Sequence, residues 1–300
     1  MGWPAVQASF VPELKMPTAA PAVPQATVPQ ATVPQARVPT ADLSADGPMH
    51  GGAANRGLVV RAGAVVRRPL APATAATHAL LAHLTAVGFD GAPRVLATDA
   101  TTETLTYIDG WAAVPPLRAD MLTDQALVSV AELLRRYHNA VASFEPAAYQ
   151  WPRRVPARFT TRLVSHNDVH PANLIFRDGR AAALIDFDLA GPGSVAWDLA
   201  SAARYWSPLY DERDITDCRQ GQVLRRFRLL LDAYGLARAQ RREVAEAILD
   251  NHDWSCAIIT DAVDVGHPGF TDCWNNIGGI MTRARTWCET HHHDLLASAS

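Results

Sequence analysis

The chain has 300 residues, 48% hydrophobic and 19% charged, with a formal net charge of -3. That apolar share supports a large core, as one large domain or two small ones, and excludes wholesale disorder, while the near-neutral charge gives no case for nucleic acid or an anionic membrane surface as partner. A single lysine, Lys15, stands against 26 arginines, which removes a Walker-type phosphate loop and a Schiff-base lysine from the folded part.

Residues 16–39 repeat Pro-Gln-Ala-Thr-Val from Pro24, with Arg37 replacing Thr in the third copy. A proline every five residues blocks helix and interrupts a strand ladder, so residues 1–48 read as an extended, solvated Pro-rich tail, with Met49 as an alternative start. Residues 58–61 and 64–67 flank Ala62 and Gly63 as a hairpin. Leu80, Leu81, Leu84 and Val87 fall at helical spacing over 74–87, closed by Gly88. Residues 94–97 and 104–108 read as strands ending at Asp109 and Gly110, completing a β-rich unit over 49–110.

Residues 111–296 read as mostly helical. Thr123 caps a helix running to about Val141, with Leu127, Val130, Leu133, Leu134 and Tyr137 buried. Amphipathic stretches follow near 219–234 and 240–262, and the three histidines 291–293 read as a solvated helix end. Cys218, Cys256, Cys273 and Cys288 contain no C-x-x-C pair and read as buried thiols in a reducing cytoplasm. No apolar run approaches the length of a membrane-spanning helix, and no basic stretch followed by an apolar run marks a secretory signal.

The chemistry is concentrated in residues 164–188. Residues 174–176 and 183–185 are apolar strands, and Asp178-Gly179 between them is a tight-turn signal. Such a hairpin sets Asn173 beside Asp186, and Asp168, five residues before Asn173, is near enough to face the same pocket. An oxygen-rich group of this kind suits a hard cation such as magnesium, and the remaining Asp can orient and deprotonate a hydroxyl nucleophile. His166, Asp168 and His170 also spell a transition-metal pattern, H-x-D-x-H, which leaves Asn173 and Asp186 without roles.

His166-x-Asp168-x-x-x-x-Asn173, followed by Asp186-Phe187-Asp188, resembles the catalytic and metal-binding loops of the aminoglycoside phosphotransferase family, related to choline kinases and protein kinases. Asn167 stands where protein kinases carry Arg, and Asp188 where they carry Gly. His170-Pro171, Ala190-Gly191-Pro192-Gly193 and Trp197-Asp198-Leu199-Ala200 look like the same small-molecule branch. The resemblance spans about 51–290 in order of elements and is sharp over 164–200.

It implies a two-lobed, protein kinase-like α+β fold, with a small β-rich N-lobe joined near Gly110 to a larger, mostly helical C-lobe. It also implies transfer of the γ-phosphoryl group from ATP, or GTP in its place, to a hydroxyl of a small molecule with Mg2+. Asp168 would be the catalytic base, Asn173 and Asp186 the magnesium ligands, and His166 a buttress. Thr106, Tyr107 and Ile108 would meet the nucleobase through backbone groups, and Gly51, Gly52 and Gly57 would pass over the phosphates.

Two family positions are changed. The strand lysine that holds the phosphates has no counterpart, and Arg67 is the best fit, with Arg68 alternating to the other face as a solvated charge. The helical Glu that partners that lysine is replaced by Thr77-His78-Ala79. These changes motivate an alternative, a degenerate kinase-like protein that binds nucleotide without transfer. The acceptor pocket is expected within 200–290. There Asp261, Asp264, Asp272 and Glu289 with Trp206 and Trp274 suit an amine-bearing, aminoglycoside-like acceptor, against the plain readings of a solvated acidic face and helical core packing.

Overall fold

Four short strands form the first layer. In the computed structural model, which describes residues 58–299 together with Gly47 and Met49, β1 (Val60–Ala62) turns into β2 (Val65–Pro69) with Val60 opposite Arg67. The Pro-rich repeats, Lys15, Gly51, Gly52 and Gly57 lie outside the described residues. Helix α1 (Thr74–Ala86) follows and buries Leu80, Leu81 and Leu84, while Val87 ends it as an exposed C-cap rather than joining the buried face. Strands β3 (Val95–Thr98) and β4 (Thr102–Thr106) complete an antiparallel sheet of order β1-β2-β4-β3.

Strand β4 begins two residues earlier than its sequence pattern suggests. Asp99 Oδ1 accepts from the amides of Thr101 and Thr102, which closes the preceding turn and starts the strand at once. The strand ends when the Tyr107 amide donates to Ala64 O.

The chain leaves this sheet through Gly110, whose φ is +136°. A Cβ there would lie 2.6 Å from both Ile175 Cγ2 and Phe176 O, so the crossing requires glycine on two counts. Strand β5 (Trp111–Ala112) then pairs with a strand of the helical part.

Helix α2 (Asp124–Val141) is capped by Thr123 Oγ1, which accepts from the Ala126 amide at 3.1 Å, and it buries all five side chains that its spacing singles out. The short strands β6 (Leu163–Ser165), β7 (Leu174–Arg177), β8 (Arg180–Leu184) and β9 (Gly191–Gly193) carry the loops described below. Helix α3 (Val195–Trp206) is buried at every position from Ala196 to Arg204. Helices α4 (Val223–Tyr234), α5 (Arg238–Asp264), α6 (Pro268–Thr290) and α7 (His292–Ser298) surround it, with α5 packed on both α3 and α6.

Helix α6 is missing from the sequence reading because Asn275, Asn276, Gly278 and Gly279 interrupt its apolar stripe. It buries Gly278, Met281, Ala284 and Cys288 at helical spacing and packs on α5, and at Gly278 the Trp274 ring comes so near the backbone that a Cβ would meet it at 3.0 Å.

A small sheet with one helix, set against a mostly helical remainder, is the expected two-lobed α+β architecture. None of the four cysteines is in a disulfide, but only Cys288 is buried; Cys256 and Cys273 are half-buried and Cys218 exposed, which corrects the expectation of four buried thiols. Among the described residues no helix is long and apolar enough to cross a membrane.

Candidate active site

The β7–β8 hairpin builds the centre of the site. Leu174 pairs with Leu184 and Arg177 with Arg180. The two-residue turn between them has φ of 49° at Asp178 and 71° at Gly179, the left-handed pair that matches the twist of the flanking strands. At the open end the Ile185 amide donates to Asn173 O at 2.9 Å, which holds Asn173 next to Asp186. Asn173 Nδ2 donates to Asp168 Oδ2 at 2.8 Å and to Asp168 O at 3.1 Å. Among the described residues Asp168 Oδ1 and Asn173 Oδ1 have no hydrogen-bond partner. Asp186 itself has a φ of 62°, a conformation rare outside glycine, and the surrounding structure enforces it.

The loop over 166–173 is anchored from below by a carboxylate that sequence reading left without a role. Asp198 on α3 is fully buried; its Oδ2 accepts from the His166 amide at 2.8 Å and its Oδ1 from the Asn167 amide at 2.7 Å. His138 on α2 bonds Asp198 Oδ2 through Nε2 at 3.0 Å and the Tyr234 hydroxyl through Nδ1 at 2.8 Å. The Val169 amide donates to Ser201 Oγ at 3.1 Å, one turn further along α3. Asn167 takes a left-handed φ of 66° and donates Nδ2 to Leu189 O. His166 bonds Ile185 O through Nε2 and packs on Phe187, so it ties the loop to the hairpin. The signal available in the sequence was Asp198 itself, one acid in a segment otherwise apolar enough to be buried.

The arginines of β2 are placed the other way round from the sequence expectation. Arg68, expected to be solvated, is buried. Its Nε donates to Glu103 Oε1 at 2.7 Å, its Nη1 to Asp186 Oδ1 at 2.9 Å and its Nη2 to Asp188 Oδ1 at 2.6 Å. Arg67 turns to the outer face, where Nη2 reaches Asp99 Oδ2 at 3.3 Å and Thr102 Oγ1 at 3.2 Å. Alternation along β2 separates the two side chains, but pairing with β4 decides which one points inward. Val66 and Arg68 lie opposite Leu105 and Glu103, the buried residues of β4.

Glu103 thus meets the β2 arginine from a neighbouring strand, and α1 contributes His78, whose Nε2 lies 2.6 Å from Glu103 Oε2. Burial works to raise the Glu103 pKa, but His78 and Arg68 outweigh it and hold the carboxyl below its usual range. Asp188 goes the other way, pushed up to about 6 by burial and by Asp186 beside it, against the pull of Arg68.

Other candidates separate. The amides of Thr106 and Tyr107 are engaged by Arg94 O and Ala64 O, whereas the Ile108 amide has no backbone partner among the described residues. The Arg61 guanidinium covers the Tyr107 ring at 3.7 Å, beside a cavity of about 540 Å³ lined by Tyr107, Gly110 and Trp111. His170 accepts from the Ala172 amide and packs edge-on to Tyr205, so His166 and His170 face different neighbours. Among the described residues no three His, Cys, Asp or Glu side chains converge on a metal position. Trp206 is core, packed on Phe176, while Trp274 lines a cavity between α5 and α6. Asp261 is paired with Arg153 and Glu289 with Arg285.

The model of the phosphotransferase enzyme family matches residues 147–230, the span that carries Asp168, Asn173, Asp186 and Asp198. The trifolitoxin immunity protein of Rhizobium leguminosarum bv. trifolii is 32% identical over 259 residues, covering 81% of this chain and 95% of that protein. The chain belongs to this phosphotransferase family. Two solved structures show the family fold without close identity. A choline/ethanolamine kinase family protein from Mesorhizobium loti is 16% identical, with 88% of this chain and 96% of that chain covered and a TM-score of 0.58. The GDP complex of wild-type aminoglycoside 2'-phosphotransferase-IIIa is 11% identical, with 85% and 95% covered and a TM-score of 0.58.

Proposed function

We propose that this phosphotransferase-family chain moves the γ-phosphoryl group of ATP to a hydroxyl of a small molecule, with Mg2+. In this reading the β-rich lobe over 49–110 holds the nucleotide, and residues 111–296 carry the catalytic loop and the acceptor. The supporting observation is the hairpin mouth, where Asn173 bonds Asp168 through Nδ2 and the Ile185 amide, next to Asp186, through its carbonyl, on a loop pinned by Asp198.

Asp168, with Oδ2 occupied by Asn173, offers Oδ1 to the acceptor hydroxyl. It takes the proton as the oxygen–phosphorus bond forms, and the bond to the leaving ADP oxygen breaks. The donor set at the mouth, Asn173 Oδ1 and the Asp186 carboxylate, consists of oxygens alone and fits a hard divalent cation. When bound, magnesium would neutralise phosphate charge there.

Arg68, rather than Arg67, is our candidate for the phosphate contact otherwise made by a strand lysine, held in place by Glu103 and His78. The Ile108 amide is the free hinge donor; Thr106 and Tyr107 retain only carbonyl roles. Backbone readout alone admits either ATP or GTP. We place the protein in the cytoplasm, in keeping with four cysteines that form no disulfide.

A second reading, nucleotide binding without transfer, is favoured by the three carboxylates that engage Arg68. The immunity named for the Rhizobium relative would be served here by phosphorylation of a toxin hydroxyl or by binding alone. An ADP-release screen over aminoglycosides, choline, sugar amines and hydroxy acids, run beside calorimetry of Mg-ATP, separates the two. Transfer is expected, and Asp168→Asn should lower it about 10³-fold while nucleotide affinity stays within about threefold. Binding with no turnover supports the second reading, and undiminished turnover by Asp168→Asn removes Asp168 as the base.

A further inference from the structure

The acceptor half of the molecule holds a buried cation that no anion meets among the described residues. Among the described residues four arginines are buried. Arg68 meets Glu103, Asp186 and Asp188; Arg219 meets Asp217; Arg226 meets Asp124. Arg204 on α3, 2% exposed, meets no carboxylate among the described residues. Its Nη1 donates to Asn251 Oδ1 at 2.9 Å, Asn251 O at 3.2 Å and Ser255 Oγ at 2.7 Å, all neutral groups on α5.

The Nε and Nη2 of Arg204 have no hydrogen-bond partner among the described residues. These two nitrogens form the side-on edge of a guanidinium, whose parallel N–H groups match the two oxygens of a carboxylate or phosphate. A buried charge without a counter-charge is unfavourable, and three neutral acceptors on one nitrogen compensate it only in part.

Position ties this edge to the catalytic loop. Arg204 lies three residues after Ser201, on the same face of α3, and Ser201 binds the Val169 amide next to Asp168. Arg204 Cζ is 5.3 Å from the centre of the Tyr205 ring, and that ring meets His170 at 4.7 Å. Burial raises the Tyr205 hydroxyl pKa, with Arg204 opposing and Asp168 reinforcing, so the cation and the candidate base act on one phenol.

We propose that the acceptor carries an anionic group, a carboxylate or a phosphate ester, seated on the Nε–Nη2 edge of Arg204 with its hydroxyl directed to Asp168. The inference deepens the phosphotransferase reading and rests on it for the position of the hydroxyl. It replaces the amine-bearing acceptor expected from sequence. Asp261 and Glu289, part of that expectation, are neutralised by arginines, and the positive charge of Arg204 repels ammonium.

The test uses matched probes with the full chain in Mg-ADP: glycerate against glyceramide, and glycerol 3-phosphate against glycerol, with ethanolamine as the cation. Binding is read by calorimetry, and ADP release is read separately with Mg-ATP. At least one anion should bind about 10²-fold tighter than its neutral partner, and the pair that responds distinguishes carboxylate from phosphate. Arg204→Met should erase that preference while Mg-ADP affinity is kept.

Asn251→Asp, which places a carboxylate against Nη1, should weaken the anion about tenfold and keeps the test decisive if Arg204→Met does not fold. No anion binding, equal binding of neutral partner or ethanolamine, or anion affinity unchanged in the folded variants overturns the proposal. Arg204-dependent anion binding without ADP release from any probe supports the seat and counts against transfer. Preferential phosphorylation of glyceramide or ethanolamine does the reverse.

Discussion

On the β2 side of the 166–173 loop, Glu103, Asp186 and Asp188 crowd one guanidinium, and the surplus of negative charge shows in Asp188, driven up to about 6 by burial and Asp186. On the α3–α5 side, Arg204 sits among neutral groups, and the surplus is positive: burial and Arg204 push the His252 pKa down to about 4. Between them Asp198 holds the loop through two amides and His138. A site with one charge type in excess on each side is poised to receive partners of opposite sign from the two directions. For the first side that means the metal ion of the proposed nucleotide complex, and for the second the anionic acceptor proposed above.

The comparison is broken most completely at its shared floor. Asp198→Ala leaves two loop amides and His138 without their buried acceptor, and should cost about 4 kcal/mol of stability, read as a shift of the urea midpoint. On the β2 side, Arg68→Ala leaves Glu103 and its neighbours unbalanced. It should cost about 3 kcal/mol and weaken Mg-nucleotide binding about 10²-fold in calorimetry.

On the α3–α5 side, folded His252 resists protonation until about pH 4, whereas the unfolded chain takes up a proton near 6.5. The unfolded state therefore binds more protons between these values, so stability should fall as pH drops through that window, by up to about 3 kcal/mol. His252→Gln should flatten the profile of denaturation midpoint against pH. The smallest effect belongs to Arg67→Ala. With its guanidinium on the outer face of β2, the substitution should change Mg-nucleotide affinity by no more than about twofold, and a change like that of Arg68→Ala would restore the original assignment of faces.

What was legible in the sequence was local. Asn173 and Asp186 come together through one tight turn, and Asp168 lies five residues away, so the chemistry of the hairpin mouth is written within about twenty residues. The contacts that were not legible join distant segments. Arg68 and Asp186 are 118 residues apart, and alternation along β2 cannot say which face is inner until β4 supplies Glu103 and Leu105. Asp198 and His138, 60 residues apart, each look unremarkable until packing buries both. Helix α6 escaped because its buried face, Gly278, Met281, Ala284 and Cys288, is made mostly of small, weakly apolar residues, and the exposed Val87 shows the converse, a residue in helical register that the helix end leaves outside.

The crossing at Gly110 has a mechanical consequence. Upstream, Tyr107 is tied to Ala64 in the first sheet; downstream, Trp111 and Ala112 are already laddered to β7. The freedom of one lobe to swing against the other is thereby confined to residues 108–110, and Gly110 itself is pressed against Ile175 and Phe176. That pivot bears on the strand that follows Asn173, while the far end of the swinging lobe grips Asp186 through Arg68. Any swing of one lobe against the other would therefore be felt near Asn173 and at Asp186 at once, one at the fulcrum and one at the rim.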